Sequence, residues 1–377
     1  MIKNIFKYII LFIFVITIAS CPQSPPPCNP SFRWKVAIND LSATFPSWWT
    51  DKTGVYLLVY NKLYHTTDGS TWSYSTLPGE IITGTGSAAS GVFGWGDSPN
   101  DIYIGHGNKI FHFNGITWTT SLDLPSNQII YAGIAGNNSS DVYAMAATVI
   151  TPSTALWPTP TGLVLYHFTG FSWTPVTTID EVGATSNISV FGSNVYFTMN
   201  YLRNGPFQSL LFHYNGITWE TESFSNNIMF IPYYIAGVFG FNEKDLYTIT
   251  SGSFGSAVLH FTGDSWKIYG GIDYNSRIQS GIFAIDGYHT PFYLWGTSDN
   301  DIYIGKYKND DVVVSHFDGN QWHDTVITSS SSSDENKFIP YIVSIYGLSS
   351  SNVFLEVEWA CLYRGSGPAH FSILKGP

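Results

Sequence analysis

A pattern of aromatic residues returns about every fifty residues along this chain of 377 residues, and it constrains the fold more than any other feature. Its first element, the aromatic mark, is an Asp or Asn (once a Gly), then an apolar residue, then an aromatic one. Successive aromatic positions lie 47, 40, 53, 51, 56 and 51 residues apart: Tyr56, Tyr103, Tyr143, Tyr196, Tyr247, Tyr303 and Phe354. This period, with alternating apolar side chains, predicts one antiparallel sheet per repeat.

The second element, the Trp mark, is Gly-x-x-Trp, which ends at Trp72, Trp118, Trp173, Trp219, Trp266 and Trp322. A His followed by Phe or Tyr lies between the two marks, at His112, His167, His213, His260 and His316. An Asn-Gly, Asp-Gly or Thr-Gly pair precedes each Trp and suits a tight hairpin. Each repeat is therefore predicted to hold four strands, a to d, which in the second repeat are GVFGWG, DIYIGHG, KIFHFN and TWTTSL.

The last repeat has an aromatic mark but no Trp mark. The missing strand is predicted at the other end of the chain, because SFRWKVAI at 31–38 precedes the first repeat and contains Trp34. We expect this segment to pair with 370–373 as strand d of the last sheet, with His370 as that sheet's repeat histidine. The prediction is an all-β domain at 31–377, a seven-bladed β-propeller of four-stranded antiparallel blades closed by its N-terminal strand.

These repeats resemble kelch-type propellers, whose blades have an apolar strand ending in Gly, a Tyr strand and a later Trp. They are also similar to the WGxSxxDVYxxG…HYDGxxW repeats of exported bacterial proteins. The resemblance covers about 31–377. In the first repeat, TTDGSTW at 66–72 resembles the Asp-box of sialidases, although it has one residue fewer between Asp and Gly.

The N-terminal residues read as an export signal. Lys3 and Lys7 precede an apolar run at 8–18, and the run ends in Ile-Ala-Ser-Cys21. This ending resembles the lipobox of bacterial lipoproteins, which implies lipidation of Cys21. We therefore expect a lipoprotein signal peptide at 1–20, a Pro-rich tether at 21–30, and a lipid-anchored protein of the bacterial cell envelope, in the outer membrane. The alternative is an uncleaved anchor, for which the run is short.

The repeated His and Trp allow two interpretations. Six His could form a metal site, but packed sheets stand roughly 10 Å apart whereas zinc ligands lie about 2 Å from one ion. We therefore predict structural roles and no metal or cofactor: His bonded to backbone or to turn carboxylates, and Trp packing one blade on the next. The Asp residues of the aromatic marks are expected to cap the turns between strands a and b, with calcium binding as the alternative.

Long connections are predicted on one face only, where strand b leads to c and strand d leads to the next a. Long connections carry function more often than short ones. The candidate ligand-binding residues on this face are Trp157, Tyr201, Arg203, Tyr233, Tyr234, Tyr274, Arg277, Tyr288 and Arg364. Aromatic rings with a few Arg suit sugars, acidic ligands or a protein partner. The alternative is that these side chains only hold their own loops in place.

The opposite, short-turn face is expected to lie toward the membrane, because strand d of the closing blade enters there from the tether. Export favours a disulfide between Cys28 and Cys361. Against it, Cys28 would lie on that side and Cys361 on the other, about 20 Å apart, whereas a disulfide needs Cα atoms within about 7 Å, so both alternatives stay open.

An excess of 27 Asp and Glu over 16 Lys and Arg argues against nucleic-acid binding. The sequence favours a monomeric, non-catalytic binding or scaffold protein with a protein or glycan ligand and a membrane contact through its lipid anchor. The alternative is a glycoside hydrolase or lyase of the sialidase-like kind at the mouth of the channel. No catalytic residue is assigned, because no acid pair with a defined spacing accompanies the three Arg.

Overall fold

The computed structural model describes residues 35–41, 47–51, 53–59, 61–82, 92–150, 160–180, 183–186, 188–201, 208–222, 234–252, 255–269, 293–308, 311–328, 338–361 and 370–376. These residues form seven antiparallel sheets and one short helix, α1 (Gly79–Ile82). The predicted seven-bladed, all-β propeller is confirmed. Within the described ranges no helix is long and apolar enough to cross a membrane. The predicted signal peptide and tether lie outside them.

The strands follow the predicted order a, b, c, d in each blade. The N-terminal strand is β1 (Lys35–Leu41). Blade one contains β2 (Ser47–Thr50), β3 (Val55–Val59), β4 (Lys62–Thr66) and β5 (Ser73–Thr76). Blade two contains β6 (Phe93–Ser98), β7 (Asp101–His106), β8 (Lys109–Phe113) and β9 (Trp118–Asp123). Blade three contains β10 (Gln128–Asn138), β11 (Asp141–Val149), β12 (Pro160–Phe168) and β13 (Trp173–Ile179).

Blades four and five differ in that their innermost strand is split into two short pieces. Blade four contains β14 (Ala184–Thr185), β15 (Ser189–Phe191), β16 (Asn194–Tyr201), β17 (Gln208–Tyr214) and β18 (Trp219–Thr221). Blade five contains β19 (Tyr234–Ile235), β20 (Phe239–Asn242), β21 (Asp245–Gly252), β22 (Gly255–Phe261) and β23 (Trp266–Tyr269). Blade six contains β24 (Leu294–Ser298), β25 (Asp301–Lys308), β26 (Asp311–Phe317) and β27 (Trp322–Thr328).

Blade seven joins the two ends of the chain. It contains β28 (Phe338–Ser349), β29 (Asn352–Cys361) and β30 (His370–Lys375), and β1 pairs antiparallel with β30 as its outermost strand. Lys35 lies opposite Lys375 and Ile38 opposite Ile373. The predicted closure of the last blade by the N-terminal strand is therefore confirmed. Trp34, one residue before β1, lies outside the described residues.

The register corrects one repeat residue. In blade two, Tyr103 lies opposite His112. In blade seven the aromatic mark Phe354 lies opposite Lys375, whereas His370 lies opposite Trp359, five positions earlier along β30. The assignment of His370 as the seventh repeat histidine was wrong. The repeat position is set by the turn that follows strand c, and β30 ends at Lys375 rather than just after His370.

The described buried side chains form seven hydrophobic clusters, one between each pair of neighbouring blades. Each described Trp mark packs in the same cluster as the aromatic mark of the preceding blade. Trp173 of blade three, for example, meets Tyr103 of blade two edge to face, with 6.2 Å between ring centroids. Hydroxyls add polar links, since Tyr303 Oη donates to the carbonyl of Ser350 in the next blade at 2.8 Å. The repeated aromatic residues thus join neighbouring blades.

Candidate functional site

An Asp, a His and a Tyr form one unit in blades two, three, five and six. The Asp begins strand b, the Tyr follows two residues later, and the His lies opposite the Tyr on strand c. Asp101 Oδ1 lies 2.6 Å from His112 Nε2, and the His ring stacks on Tyr103 with 4.3 Å between centroids. The other units have Asp–His distances of 2.7 Å and ring separations of 4.1–4.2 Å: Asp141–His167–Tyr143, Asp245–His260–Tyr247 and Asp301–His316–Tyr303.

These contacts explain the repeated Asp differently from the turn capping that its position suggests. In blade three, Asp141 Oδ1 lies 2.7 Å from His167 Nε2, while the turn between strands a and b of that blade is capped from an earlier position, where Asn138 Oδ1 accepts from the backbone N–H of Ser140 at 3.0 Å. The Asp carboxylate fixes the orientation of the His ring, and the His ring covers the Tyr ring. All three side chains therefore contact one another within a single blade.

Blade four contains a variant of this unit in which Asn194 replaces the Asp. Asn194 Oδ1 lies 2.7 Å from His213 Nε2, and Glu222 Oε1 lies 3.0 Å from His213 Nδ1. Both ring nitrogens of His213 therefore bond side chains of its own blade. The ring still stacks on Tyr196, at 4.3 Å.

The tyrosines of these units are poor nucleophiles. Burial and the nearby Asp141 carboxylate raise the pKa of Tyr143 to about 12. Burial likewise raises the pKa values of Tyr103, Tyr196 and Tyr303 well above the usual value of 10. A phenol held protonated at neutral pH acts as a hydrogen-bond donor and a packing surface, not as an attacking oxygen.

Blade one has a repeat histidine, His65, that the sequence pattern did not reveal. His65 lies opposite Tyr56 and stacks on it at 4.3 Å. Gly54 occupies the position of the Asp, and a Cβ there would lie 2.6 Å from His65 Nε2 and 2.3 Å from the carbonyl of Thr66. His65 Nε2 is buried, and no hydrogen-bond partner for it lies within the described ranges.

The unusual surroundings of His65 predict a specific pH dependence of stability. Burial lowers its pKa from the ordinary value of 6.5, against a smaller opposing effect of Asp51. Below about pH 6.5 the unfolded chain therefore binds a proton that folded His65 does not, so stability falls as the pH drops through this range. We expect His65→Phe to lose less stability between pH 7 and 5.5 than the parent chain, as measured by denaturant midpoints. His167→Phe, in which the lost histidine is paired with Asp141, is the control. An unchanged pH dependence in His65→Phe would contradict this role.

The motif that resembles a sialidase Asp-box is the hairpin turn between strands c and d of blade one. Asp68 Oδ1 accepts the backbone N–H groups of Ser70 and Thr71, both at 2.7 Å. These bonds lower the pKa of Asp68 to about 2. Asn114 closes the corresponding turn of blade two by the same pair of bonds, to Ile116 and Thr117. The motif is therefore a turn shared with other blades.

A buried carboxylate, Glu356, lies at the contact between blades seven and one. It is 1 % exposed, and its Oε2 accepts hydrogen bonds from Trp48 Nε1 at 3.0 Å and Ser344 Oγ at 2.7 Å. Trp48 also stacks on Tyr346 at 5.5 Å, and burial, with the charge of Glu356, raises the pKa of Tyr346 to about 12. Trp48 belongs to blade one and the other three residues to blade seven, so this polar cluster holds the closing contact of the ring together.

Two of the nine predicted ligand-binding residues lie in strands that the structure describes. Tyr201 ends β16 and Tyr234 begins β19, and the structure describes only the backbone of each. The other seven lie outside the described residues: Trp157, Arg203, Tyr233, Tyr274, Arg277, Tyr288 and Arg364. Cys28 also lies outside them. The prediction that these aromatic and Arg side chains share one ligand stays a prediction.

The connections that contain these residues leave the blades from one end. Strands b and d end there, and strands c and a begin there. In blade three, Val149 lies opposite Pro160 across such a connection. The connections at this end include 150–159, 202–207, 222–233, 270–293, 329–337 and 362–369. At the opposite end, strands a and b of blade two are joined by residues 99–100 alone. Where the structure describes side chains, no group of three or more His, Cys, Asp or Glu is placed to hold a metal ion.

Comparison with known proteins shows similarity in fold only. No protein-family model matches the chain, and no curated protein matches its sequence. An oligogalacturonate lyase solved with manganese is 9 % identical, with a TM-score of 0.52 and coverage of 86 % of each chain. An oligogalacturonate lyase from Vibrio parahaemolyticus is 8 % identical, with a TM-score of 0.51 and coverage of 91 % of each chain. The WD40 domain of SCAP from fission yeast is 10 % identical, with a TM-score of 0.44, and the match covers 92 % of this chain and 87 % of that domain.

Proposed function

We propose that the protein is a non-catalytic binding or scaffold propeller that presents its long-connection face to a protein or glycan ligand. The observation that carries this proposal is the contrast between the two ends of the blades. The turns at one end are short and closed by their own hydrogen bonds, whereas the long connections all leave from the other end. Loops held on a rigid scaffold are the usual location of a binding site.

The chemistry of the frame supports a binding role. In blades two, three, five and six the repeated Asp, His and Tyr side chains bond or stack on one another, and the repeated Trp side chains pack between blades. Their polar groups are used to build the ring. Recognition is then left to the aromatic and Arg residues of the long connections, which suit sugar rings, acidic ligands or a protein surface.

We also propose that the protein is a bacterial lipoprotein with kelch-like repeats, attached to the cell envelope through Cys21. The support is the run at 8–18 followed by Ala-Ser-Cys21, together with the repeat pattern of exported proteins. The intact mass of the membrane-extracted protein tests this. A lipoprotein has lost residues 1–20 and gained acyl chains at Cys21, whereas an unmodified full-length mass would reject it.

A glycan array probed with the membrane-extracted protein tests the binding role. We expect retention of one class of glycan, and loss of at least about tenfold in affinity when Trp157 and Arg277 are both changed to Ala, because aromatic and Arg contacts dominate such sites. Lys267→Ala, an exposed change on the outer strand of blade five, is the matched control. Binding that the double variant retains in full would reject these residues as the site.

The alternative function is a glycoside hydrolase or lyase. Two similar solved structures are oligogalacturonate lyases, at a likeness that establishes only the fold. Incubation with oligogalacturonate, followed by absorbance of the unsaturated product, separates the two functions. The proposed binding role predicts no product. Product formation would overturn it.

A further inference from the structure

Three turns on the short-turn face expose large apolar side chains at equivalent positions. Ile116, Phe171 and Ile217 are 85 %, 97 % and 86 % exposed, more than any other large apolar side chain that the structure describes. Each follows the glycine of the turn between strands c and d, in blades two, three and four, which are neighbours in the ring. We call these three residues the apolar arc.

The turns hold these side chains outward. Asn114 Oδ1 accepts the backbone N–H groups of Ile116 at 3.0 Å and Thr117 at 2.9 Å, and Gly115 has φ of +88°. Asn215 closes the turn around Ile217 in the same way. The tip side chains take no part in the blade core, so packing within the domain does not account for their apolar character.

Charge divides the turns between strands c and d on this face into two groups. The turns of the apolar arc, 114–117, 169–172 and 215–218, contain no charged residue. The equivalent turns of blades one, five and six each contain an acid, at Asp68, Asp264 and Asp318, and have Ser70, Asp264 and Asn320 in the tip position. The apolar and uncharged turns are therefore grouped on one side of the ring and the acidic turns on the other.

The proposed anchor at Cys21 would hold this face near a membrane. Strand β1 begins at Lys35, opposite Lys375, at the end of the blades from which the apolar arc projects. From Cys21, which follows the apolar run at 8–18, Lys35 is 14 residues away. An extended chain of that length spans at most about 45–50 Å. An anchor at Cys21 therefore keeps the apolar arc within reach of the bilayer.

The spacing of the three side chains favours lipid over a protein partner. They stand on separate blades, one per turn, whereas a stable protein interface buries roughly 800 Å² on each side with about 20–30 residues. The interfacial zone of a bilayer accepts apolar side chains at any spacing, since burial there needs no matching surface. In each of these three blades the Trp after the turn packs against the Phe or Tyr before it, with 5.2–5.4 Å between ring centroids.

We propose that the apolar arc inserts Ile116, Phe171 and Ile217 into the interfacial zone of the membrane and so fixes the tilt of the ring, with the long connections facing away. The inference rests on the proposed anchoring for its choice of lipid, but not for the surface itself. The acidic turns of blades five, six and one then lie further from the lipid headgroups than those of blades two to four.

Photo-crosslinking of the full-length protein in the cell envelope tests this proposal. Phe171 is replaced by p-benzoylphenylalanine, and Asn320, at the equivalent tip in blade six, is replaced in a matched control. Both tips are exposed, so the probe does not disturb the fold. We expect lipid adducts at position 171 to exceed those at 320 by about tenfold or more, as apolar partitioning of one side of the ring requires.

The other outcomes overturn the proposal. Adducts to a protein at position 171 would assign the apolar arc to a protein partner. Equal amounts of lipid adduct at positions 171 and 320 would reject the proposed tilt of the ring on the membrane. An absence of adducts at 171 would leave the surface facing water. The anchor is judged separately by the mass of the Cys21 peptide. Lipid adducts at 171 with an unacylated Cys21 would reject the anchor and retain the apolar arc.

Discussion

Changing Trp266 to Ala should destabilise the folded protein by roughly 3–5 kcal/mol, the usual cost of removing a buried Trp from a core. Trp266 is 1 % exposed, and it packs in the same cluster as Tyr196, Leu246 and Leu259, between blades four and five. Folded domains are typically stable by only about 5–15 kcal/mol, so the loss would be a large fraction of the total. Denaturant unfolding followed by circular dichroism measures it.

Lys267→Ala is the control for this change. Lys267 is the next residue on the same strand and is exposed, so its loss should alter stability by less than about 0.5 kcal/mol. Comparable, small effects for both variants would mean that the Trp mark does not hold neighbouring blades together. A large effect for Trp266→Ala alone supports the structural interpretation of the repeated Trp.

The number of blades and the closure of the ring could be predicted from sequence, because both follow from the numbers of aromatic marks and Trp marks. The sequence contains seven aromatic marks but only six Trp marks, and the N-terminal segment with Trp34 supplies the strand that the last blade lacks. Local chemistry agreed with the count, since each Asn-Gly, Asp-Gly or Thr-Gly pair fixes a hairpin and thereby the strands around it. The packing role of Trp followed from the same repetition, because a residue present once per blade lies at every blade interface.

The exact repeat position in blades one and seven could not be predicted, because a two-residue motif does not fix a strand register. His370-Phe371 matched the motif at the wrong end of β30, and Lys375 holds the repeat position. His65 does not match the motif, because Thr66 rather than Phe or Tyr follows it. The turn of blade one is also one residue longer, since Gly69 follows His65 by four positions, whereas Gly115 follows His112 by three. Alignment on the turn glycine with one added residue would have found it.

The site was less predictable than the frame. The exposure of Ile116, Phe171 and Ile217 depends on how each turn projects from the ring. The amino-acid sequence is equally compatible with an apolar side chain that folds back onto its own blade. In the structure, the backbone N–H groups of Ile116 and Ile217 donate to Asn114 Oδ1 and Asn215 Oδ1, and both tip side chains point away from their blades. For the long connections, the predicted strand order already placed them at one end of the blades, and the strand bounds agree with this. Residue type suggested recognition there.

The closing contact between blades seven and one determines whether this chain forms a ring. Blade seven is completed by the pairing of β1 with β30. It is joined to blade one by the hydrogen bond that Trp48 Nε1 donates to Glu356 Oε2 and by the donation from Lys375 Nζ to Ser70 Oγ at 3.0 Å. A covalent bond across the strand pair should therefore form readily. It would close nearly the whole chain into a loop and stabilise it by up to about 4–5 kcal/mol.

The most direct test is a disulfide between Lys35→Cys and Lys375→Cys, because these residues lie opposite each other in the antiparallel pair. Opposed residues in such a pair have Cα atoms about 4.5–5.5 Å apart, within the reach of a disulfide. After mild oxidation, peptide mass mapping should show the 35–375 bond and unfolding should shift to higher denaturant. A control pair, Lys35→Cys with Lys267→Cys, should stay reduced. Absence of the 35–375 bond, or its formation no more readily than the control, would contradict closure of the propeller by its N-terminal strand.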